Sequence, residues 1–312
     1  MRGTGKPDVR LGRDFDAAVR QWDHIHNKAP RIAGTLQEAF NRWRERELPQ
    51  YASAVTRRCY AQNLTRLEPV FGRMAWDELT LPMLREYLDR RTAKTQGNRE
   101  VSLLCLVWGK AKLWGMHALA WPAAGVKNWK NEEQARSFDV TDEIFTAVYA
   151  QADQVLRDCM DIATATGMRL TDVRTATVPV GGILQFRANK TGKAAQFEIA
   201  ASPVLSAVAE RRAARKVGTV LFLTTSTGKT VTAQMLRKRW DEAREKAAAK
   251  AQDGGNKPLA DAIRSMYLRD TRKRAADLAG NAGEAAELLQ HSSKRLTEQH
   301  YRTKASKLRA VR

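Results

Sequence analysis

The second half of the chain carries five residues whose types suit chemistry on a phosphate group. In chain order they are Arg169, Lys190, Arg272, His291 and Tyr301. A guanidinium is always charged and can bind a phosphate through two parallel hydrogen bonds. A lysine can protonate a leaving oxygen, and a tyrosine hydroxyl can form a covalent intermediate. The set is therefore a candidate for chemistry on a phosphate group.

Each segment also has an ordinary structural interpretation when it is taken alone. Arg169 and Asp172, in TATGMRLTDV, could form a salt bridge at a helix start. Lys190 and Lys193 lie on the turn of ANKTGK, and a basic turn is commonly just solvated, although Lys193 is also a candidate for DNA contact. His291 follows two leucines at a helix end, where a histidine is more often structural. Only the ordered combination favours chemistry over these alternatives.

The segment YLRDTRKRAADLAG places two more arginines beside Arg272. Arg269 is three residues before Arg272, so a helix would present both side chains on one face. Arg274 lies off that face, and we interpret it as a solvated residue or as a contact to a DNA backbone. The segment thus predicts two guanidiniums on one helix face.

The chain as a whole is strongly basic. Lys and Arg number 54 against 34 Asp and Glu, which gives a formal net charge of +20. Such an excess favours a polyanionic partner, because neutralised phosphates release their counterions. DNA or RNA fits best, with an anionic membrane or a merely soluble basic protein as alternatives. No apolar run approaches the ~20 residues of a membrane span, and the start lacks a signal-peptide core. We expect a cytoplasmic, nucleoid-associated protein.

Cysteine and histidine are too sparse to predict a disulfide frame or a metal site. Cys59, Cys105 and Cys159 are far apart, and we expect each to be a small buried hydrophobe. Of the five histidines, only His24 and His26 are close together. The chain also lacks a Walker A motif and a carboxylate cluster for two metal ions. The predicted chemistry uses no metal and no cofactor.

Hydrophobic periodicity predicts a mainly α chain with a small antiparallel sheet, an α+β protein of two domains. We interpret residues 1–31 as an N-terminal arm or the remnant of an arm-binding region. Residues 32–126 are predicted to form a helical bundle, 127–137 a polar linker, and 138–312 the second domain.

The bundle is predicted from four helices with clear start signals. A capping box of Thr35 and Glu38 opens the first, and Thr80 can cap the third. The second and fourth cover about 53–68 and about 97–114. Its tryptophans and leucines are expected in the core, which leaves basic side chains as candidates for DNA contact. These are Arg57, Arg58, Arg66 and Lys110.

The second domain is predicted to be helices around one β-hairpin. Thr141 starts a helix, and the next helix ends in a left-handed turn at Gly167. VPVGGILQFRA and AAQFEIA then form the hairpin, with Gly192 in its turn. VLFL at 220–223 is a candidate buried strand, and helices fill most of 232–304.

Taken together, these segments resemble the active-site boxes of the tyrosine recombinases, the family of the phage integrases. TGMRLTDV is similar to the first box and NKTGK to the lysine hairpin of that family. LRDTRKRAADLAG and LLQHSSKRLTEQHYRTK are similar to its last two boxes. The boxes span 164–304 in the family's order, and jointly they are specific. The resemblance implies a helical core-binding domain followed by a catalytic domain.

The resemblance also implies a role for each residue. Tyr301 would be the nucleophile, while Arg169 and Arg272 would hold the scissile phosphate. Lys190 would protonate the leaving 5′ oxygen, and His291 would hydrogen-bond the phosphate.

The resemblance also gives Asp172 a supporting role, and the sequence departs from the family pattern in two ways. Asp172 would support the site from behind. Arg269 stands where the family usually has a histidine, and an arginine can donate to a phosphate but cannot accept a proton. The step from His291 to Tyr301 is one residue longer than usual, and His300 occupies the shorter spacing. Tyr301 is the tyrosine in reach, so it takes the role of nucleophile.

The implied activity is site-specific DNA recombination through a 3′-phosphotyrosine intermediate. The resemblance implies a homotetramer on double-stranded DNA sites, a Holliday junction, and possible accessory DNA-bending proteins. A phage or mobile-element integrase fits better than a chromosome-dimer resolvase. The alternatives are a type IB topoisomerase, which would act as a monomer without a specific sequence, and a non-catalytic DNA-binding protein of the same fold.

Overall fold

The computed structural model describes residues 34–134, 136–215 and 218–291, together with Thr297. The chain divides into two compact units, 1–134 and 135–312. Helices dominate both units, and the described residues contain one two-stranded antiparallel sheet. The predicted α+β class is therefore confirmed. No helix among the described residues is both long and apolar enough to cross a membrane. The predicted N-terminal arm lies outside the described residues.

The first unit contains the four helices that the sequence predicts. Their bounds are α1 Leu36–Arg46, α2 Ala54–Phe71, α3 Leu81–Arg90 and α4 Lys94–Leu113, with a 3₁₀ turn at Leu48–Gln50. Each helix buries one apolar stripe, and residues such as Trp43, Leu64, Leu88 and Leu104 have almost no exposed surface. This core is the one expected from the tryptophan and leucine spacing.

The start of α1 differs from the predicted capping box. Thr35 is at the N-cap position, but its side chain does not cap the helix. Instead, the Glu38 carboxylate accepts a hydrogen bond of 2.9 Å from the Gly34 backbone N–H. An acidic side chain in the first turn therefore satisfies a backbone donor that lies one residue earlier than expected.

The second unit is a helical domain with a hairpin. Its helices are α5 Asp142–Gln151, α6 Gln154–Thr166, α7 Leu170–Thr175, α8 Pro203–Ala214, α9 Ala233–Asp253, α10 Lys257–Ser265, α11 Thr271–Leu278 and α12 Ala282–Leu288. Strands β1 (Ile183–Arg187) and β2 (Ala194–Glu198) pair antiparallel as predicted. The start at Thr141 is also confirmed, since its hydroxyl accepts from the Ile144 N–H.

Two sequence expectations are wrong, one for residues 220–223 of this unit and one for two cysteines of the first unit. Residues 220–223 form no strand; Leu221 makes a single β-bridge with Thr177. Cys59 and Cys105 are exposed, and only Cys159 among the three is buried. Burial raises the pKa of the Cys159 thiol to about 12. The apolar run at 220–223 is too short for periodicity to distinguish a strand from a buried loop.

Helix α6 lies at the centre of the second unit and leads directly to the candidate site. Leu156, Cys159, Met160 and Ala163 on this helix are fully buried. The helix packs against α8 and α11. Because a fully packed helix cannot slide without opening cavities, its last residue has a fixed place in the domain.

The predicted polar linker contains no helix or strand, but its described residues are held by side-chain contacts. On the first unit, the Asn98 side chain and Asn131 exchange hydrogen bonds of 2.8 and 3.0 Å. Within the second unit, Arg136 forms an ion pair of 2.5 Å with Asp270. Each part of the segment is thus anchored on its own unit.

Candidate active site

The first predicted box begins at the turn where α6 ends. Gly167 has φ +62°, a left-handed conformation that confirms the sequence prediction. A Cβ atom at this position would lie 2.9 Å from a Leu289 side-chain carbon and 3.1 Å from one of Leu288. Glycine is therefore required both by the backbone angle and by this close approach. The turn brings the first box against the residues that precede His291.

Arg272 connects three of the predicted boxes. It lies in the first turn of α11 and is only 7% exposed. Its guanidinium donates to the Gly167 carbonyl and, over 2.6 Å, to the Leu289 carbonyl. A buried charge without such acceptors would be costly, so these bonds fix the guanidinium where it lies. The first, third and fourth boxes thus meet at one side chain.

Asp172 connects the first box with the hairpin. Arg169 is at the N-cap of α7 with a quarter of its side chain exposed, and its Nη1 lies 3.9 Å from Asp172 Oδ2. Asp172 is buried, and its Oδ1 accepts from the backbone N–H and from the side-chain Nδ2 of Asn189, each at 3.0 Å. One carboxylate therefore faces the arginine and holds the residue before Lys190.

The hairpin places Lys190 at an exposed tip. Its turn is closed by the Ala188 N–H, which donates to Lys193 O, and by the Gly192 N–H, which donates to Ala188 O, both at 2.8 Å. Gly192 has φ +69°, as expected for a tight turn. Lys190 forms no hydrogen bond or ion pair with any residue that the structure describes. Its ammonium is therefore available to a ligand.

The other end of the turn lies beside the fourth box. The Lys193 ammonium donates to the Gln290 carbonyl over 3.2 Å, and Gln290 has φ +54°. The next residue, His291, donates its backbone N–H to Ala286 O at 2.9 Å. The ring Nδ1 of His291 is 2.8 Å from the Thr297 hydroxyl. Lys193 thus contacts the protein itself, whereas the sequence interpretation treated it as a DNA contact.

Arg269 and Arg272 do not share a helix face as predicted. Residues Leu268–Asp270 form a separate 3₁₀ turn, and α11 begins only at Thr271. Arg269 is exposed, and its guanidinium lies 4.7 Å from the centre of the Tyr267 ring. The i, i+3 rule requires one continuous helix, and the turn interrupts it.

A second arginine and a lysine surround the same turn. The Arg136 guanidinium lies 4.5 Å from the centre of the Tyr267 ring. The Lys273 ammonium donates to the Arg136 carbonyl. Burial lowers the pKa of Lys273, although the Asp270 charge opposes this effect. These contacts brace the start of α11, the helix that carries Arg272.

Arg274 is largely buried rather than solvated, and its contact to a DNA backbone stays a prediction. Only 14% of its side chain is exposed, and it forms an ion pair of 2.6 Å with Asp142. Its guanidinium also lies 4.5 Å from the centre of the Phe145 ring. The side chain therefore anchors α11 against the start of α5.

The predicted DNA-contact residues of the bundle differ in their partners. Lys110 pairs with Glu47 at 2.7 Å, and Arg66 pairs with the buried Glu100 at 3.3 Å. Arg57 donates to backbone carbonyls, including Ala52 O at 3.1 Å, and Arg58 is exposed. The pair of Lys110 with Glu47 is partly exposed, so Lys110 can exchange its partner for a phosphate at smaller cost than Arg66, whose partner carboxylate is buried.

Sequence reasoning missed Asn189 and assigned Tyr301 a role that the structure leaves untested. Asn189 could have been found, because asparagine at the start of a turn commonly makes side-chain hydrogen bonds. Tyr301 and His300 lie outside the described residues, and the nucleophile stays a prediction. Among the residues that are described, no three metal-binding side chains come together.

The comparisons with known proteins concern the fold. A lambda integrase dimer bound to a COC′ core site matches with a TM-score of 0.69 and 14% identity, over 89% of this chain and 99% of that one. A lambda integrase tetramer bound to a Holliday junction matches with a TM-score of 0.69 and 17% identity, over 96% and 92%. The Tn1549 transposon integrase in complex with transposon right end DNA has a TM-score of 0.62 and 15% identity, over 87% and 96%.

No protein-family model and no curated protein sequence matches the chain. At 14 to 17% identity, the solved structures establish a shared fold. The resemblance to the tyrosine recombinases is therefore confirmed at the level of the fold.

Proposed function

We propose that this protein is a site-specific DNA recombinase of the integrase type, which cleaves and rejoins DNA through a 3′-phosphotyrosine at Tyr301. The observation that carries the proposal is the place of Arg272. This buried side chain binds the Gly167 carbonyl in the first box and the Leu289 carbonyl, two residues before His291. Three segments that are far apart in the sequence are thus joined by one side chain, and these are segments that the integrase resemblance assigns to one active site.

The arginines act as a clamp on the scissile phosphate. A phosphodiester resists attack because its negative charge repels a nucleophile. Arg272, held by carbonyls, and Arg169, held beside Asp172, supply fixed positive charge that offsets the charge of the transition state. His291 hydrogen-bonds the same phosphate, and Arg269 acts as a further donor rather than as a base.

In the covalent step the Tyr301 hydroxyl loses its proton to the solvent, its oxygen joins to phosphorus, and the bond between phosphorus and the 5′ oxygen of the DNA breaks. Lys190 donates a proton to that oxygen as it leaves. The phosphotyrosine conserves the bond energy, so a 5′ hydroxyl can reverse the step without ATP. Because its ammonium has no partner among the described residues, Lys190 is suited to meet the leaving oxygen.

Double-stranded DNA sites and further copies of the chain are the proposed partners. A lambda integrase tetramer on a Holliday junction supports a homotetramer on two sites here. Arg58, Arg66 and Lys110 of the bundle are the proposed contacts to the DNA backbone. The same proposal includes a phage or mobile-element origin, accessory DNA-bending proteins and action at the nucleoid. It also includes a core-binding role for the helical bundle and a catalytic role for the second domain.

A nicked suicide site tests the function directly. The DNA that flanks the gene supplies candidate sites, and a covalent protein–DNA adduct is detected by its survival in SDS. We expect an adduct with the wild type and none with Tyr301→Phe, which should still bind DNA. The matched control is Tyr267→Phe, which should form the adduct. An adduct with Tyr301→Phe would overturn the assignment of the nucleophile.

The same assay separates the rival activities. A type IB topoisomerase would relax a supercoiled plasmid as a monomer and without a specific site. A non-catalytic DNA-binding protein would form no adduct on any substrate. Strand exchange between two matched sites, with loss of activity in Tyr301→Phe, would exclude both rivals.

A further inference from the structure

Asn189, the residue before the proposed acid, is bound to a different element of the domain. Its backbone N–H and its side-chain Nδ2 each donate to Asp172 Oδ1 at 3.0 Å. The same Nδ2 donates to the Thr175 hydroxyl, also at 3.0 Å. All three bonds end on helix α7, which begins directly after Arg169. The hairpin tip is therefore attached to the helix beside the clamp.

The two oxygens of Asp172 have separate partners. Oδ1 accepts both bonds from Asn189, while Oδ2 faces Arg169 at 3.9 Å. Oδ2 is buried and accepts no hydrogen bond from the described residues. A change that removes only the Asn189 side-chain amide therefore takes one of two bonds from Oδ1, keeps the bond from the backbone N–H, and leaves the arginine side of the carboxylate in place.

The bonds of Asn189 are not needed to form the turn itself. Backbone bonds from Ala188 and Gly192 close the turn, and the Arg187 guanidinium donates to Gly192 O over 2.7 Å. An asparagine that only shapes a turn bonds within that turn. Here the side chain instead sets where the turn lies relative to α7.

We infer that Asn189 is a positioning residue for Lys190, and this inference rests on the proposed function. The Lys190 side chain has no hydrogen bond or ion pair with the described residues, so the adjacent backbone determines where its ammonium can reach. Consecutive Cα atoms are about 3.8 Å apart, and the anchored Asn189 therefore confines the start of the lysine side chain. The proton moves from Lys190 Nζ to the 5′ oxygen as the P–O bond breaks, and Asn189 keeps that donor in line.

The test compares cleavage of an ordinary nicked site with cleavage of a 5′-bridging phosphorothiolate site. A thiolate leaves without protonation, so the sulfur substrate makes the acid unnecessary. Asn189→Ala is expected to cleave the ordinary site roughly 10- to 100-fold more slowly, because a small misplacement of a reacting group has effects of this size. It should cleave the sulfur site at near wild-type speed.

Two further variants sharpen the test. Asn189→Asp keeps the shape but places a carboxylate against Asp172, so the ordinary site should be cleaved at least as slowly as by Asn189→Ala. Gln196→Ala truncates another amide on the same hairpin, and this exposed side chain has no hydrogen bond among the described residues. It should match the wild type on both substrates.

Each contrary result has a different meaning. Equal slowing of Asn189→Ala on both substrates, or no slowing on either, would overturn the positioning role alone. If Lys190→Ala stays slow on the sulfur site, Lys190 is not the general acid, and the positioning role of Asn189 fails with it. The proposed recombinase function would still stand. A wild-type protein that forms no adduct on either substrate would overturn the proposed function and the inference with it.

Discussion

Two parts of the candidate site are held in opposite ways. The floor, formed by Gly167, Arg272 and Leu289, is buried and joined by hydrogen bonds to backbone carbonyls. The hairpin tip is exposed, and Lys190 projects from it without a partner among the described residues. A group that stabilises charge works best when it cannot move, whereas a proton donor must follow the leaving oxygen. We therefore expect the floor to govern folding and catalysis, and the tip catalysis alone.

The largest effect should follow from Arg272→Ala. Loss of a charge that stabilises a transferring phosphoryl group is expected to reduce cleavage by about 10³- to 10⁵-fold. The sulfur substrate should give little rescue, because the missing function is not proton transfer. Two buried carbonyls would also lose their donor, at about 1–3 kcal/mol each, so the melting temperature should fall. A wild-type melting temperature in Arg272→Ala would contradict the prediction that the floor stabilises the fold.

Lys190→Ala should have the next largest effect. We expect cleavage of ordinary DNA to fall by about 10²- to 10⁴-fold, the contribution of a general acid. Cleavage of the 5′-bridging phosphorothiolate site should recover to near the wild-type rate. Thermal unfolding should not change, since the side chain has no described partner. A loss of stability would mean that the two parts of the site are not independent.

Gly167→Ala changes the backbone geometry of the floor and leaves the Arg272 charge in place, so it tests the geometry alone. The left-handed backbone angle costs roughly 1–2 kcal/mol for a residue with a Cβ atom. That atom would also meet Leu289 at 2.9 Å. We expect a lower urea midpoint and slower cleavage on both the ordinary and the sulfur substrates. Gly181→Ala is a suitable control, because its φ is also positive but a Cβ atom there has open space.

The smallest effect is expected for Lys193→Ala. Its contact with the Gln290 carbonyl is exposed, and exposed contacts of charged groups are worth at most about 1 kcal/mol. Cleavage should therefore change by less than about fivefold. A loss as large as that of Lys190→Ala would show that the tip is held as rigidly as the floor, or that Lys193 is the proton donor.

The sequence predicted the parts of this site that depend on local signals. Gly167, the hairpin and the helix start at Thr141 follow from turn and capping preferences, which act over a few residues. The position of Arg269 was wrong because nothing local marks the 3₁₀ turn before α11. The interpretation of Arg274 as a solvated residue was wrong for a similar reason, since its partners at Asp142 and Phe145 are distant in the chain. Contacts of this kind depend on tertiary packing, which periodicity does not encode.

The fold also separates the two arginines of the third box by their burial. Arg272 donates to the backbone carbonyls of Gly167 and Leu289, so a replacement residue would have to donate hydrogen bonds to both. Arg269 lies on an exposed aromatic ring, so a histidine there could keep the contact. We therefore expect position 269 to tolerate replacement better than position 272.

The carbonyl bonds of Arg272 have a consequence for how inactive descendants of such a protein would diverge. Selection for folding alone would preserve this arginine even after the enzyme had lost its reaction. Lys190 has no comparable duty in the folded state and would be free to drift. The lysine of the hairpin is therefore a more informative marker of retained activity than the arginine, although the arginine is the more deeply embedded of the two.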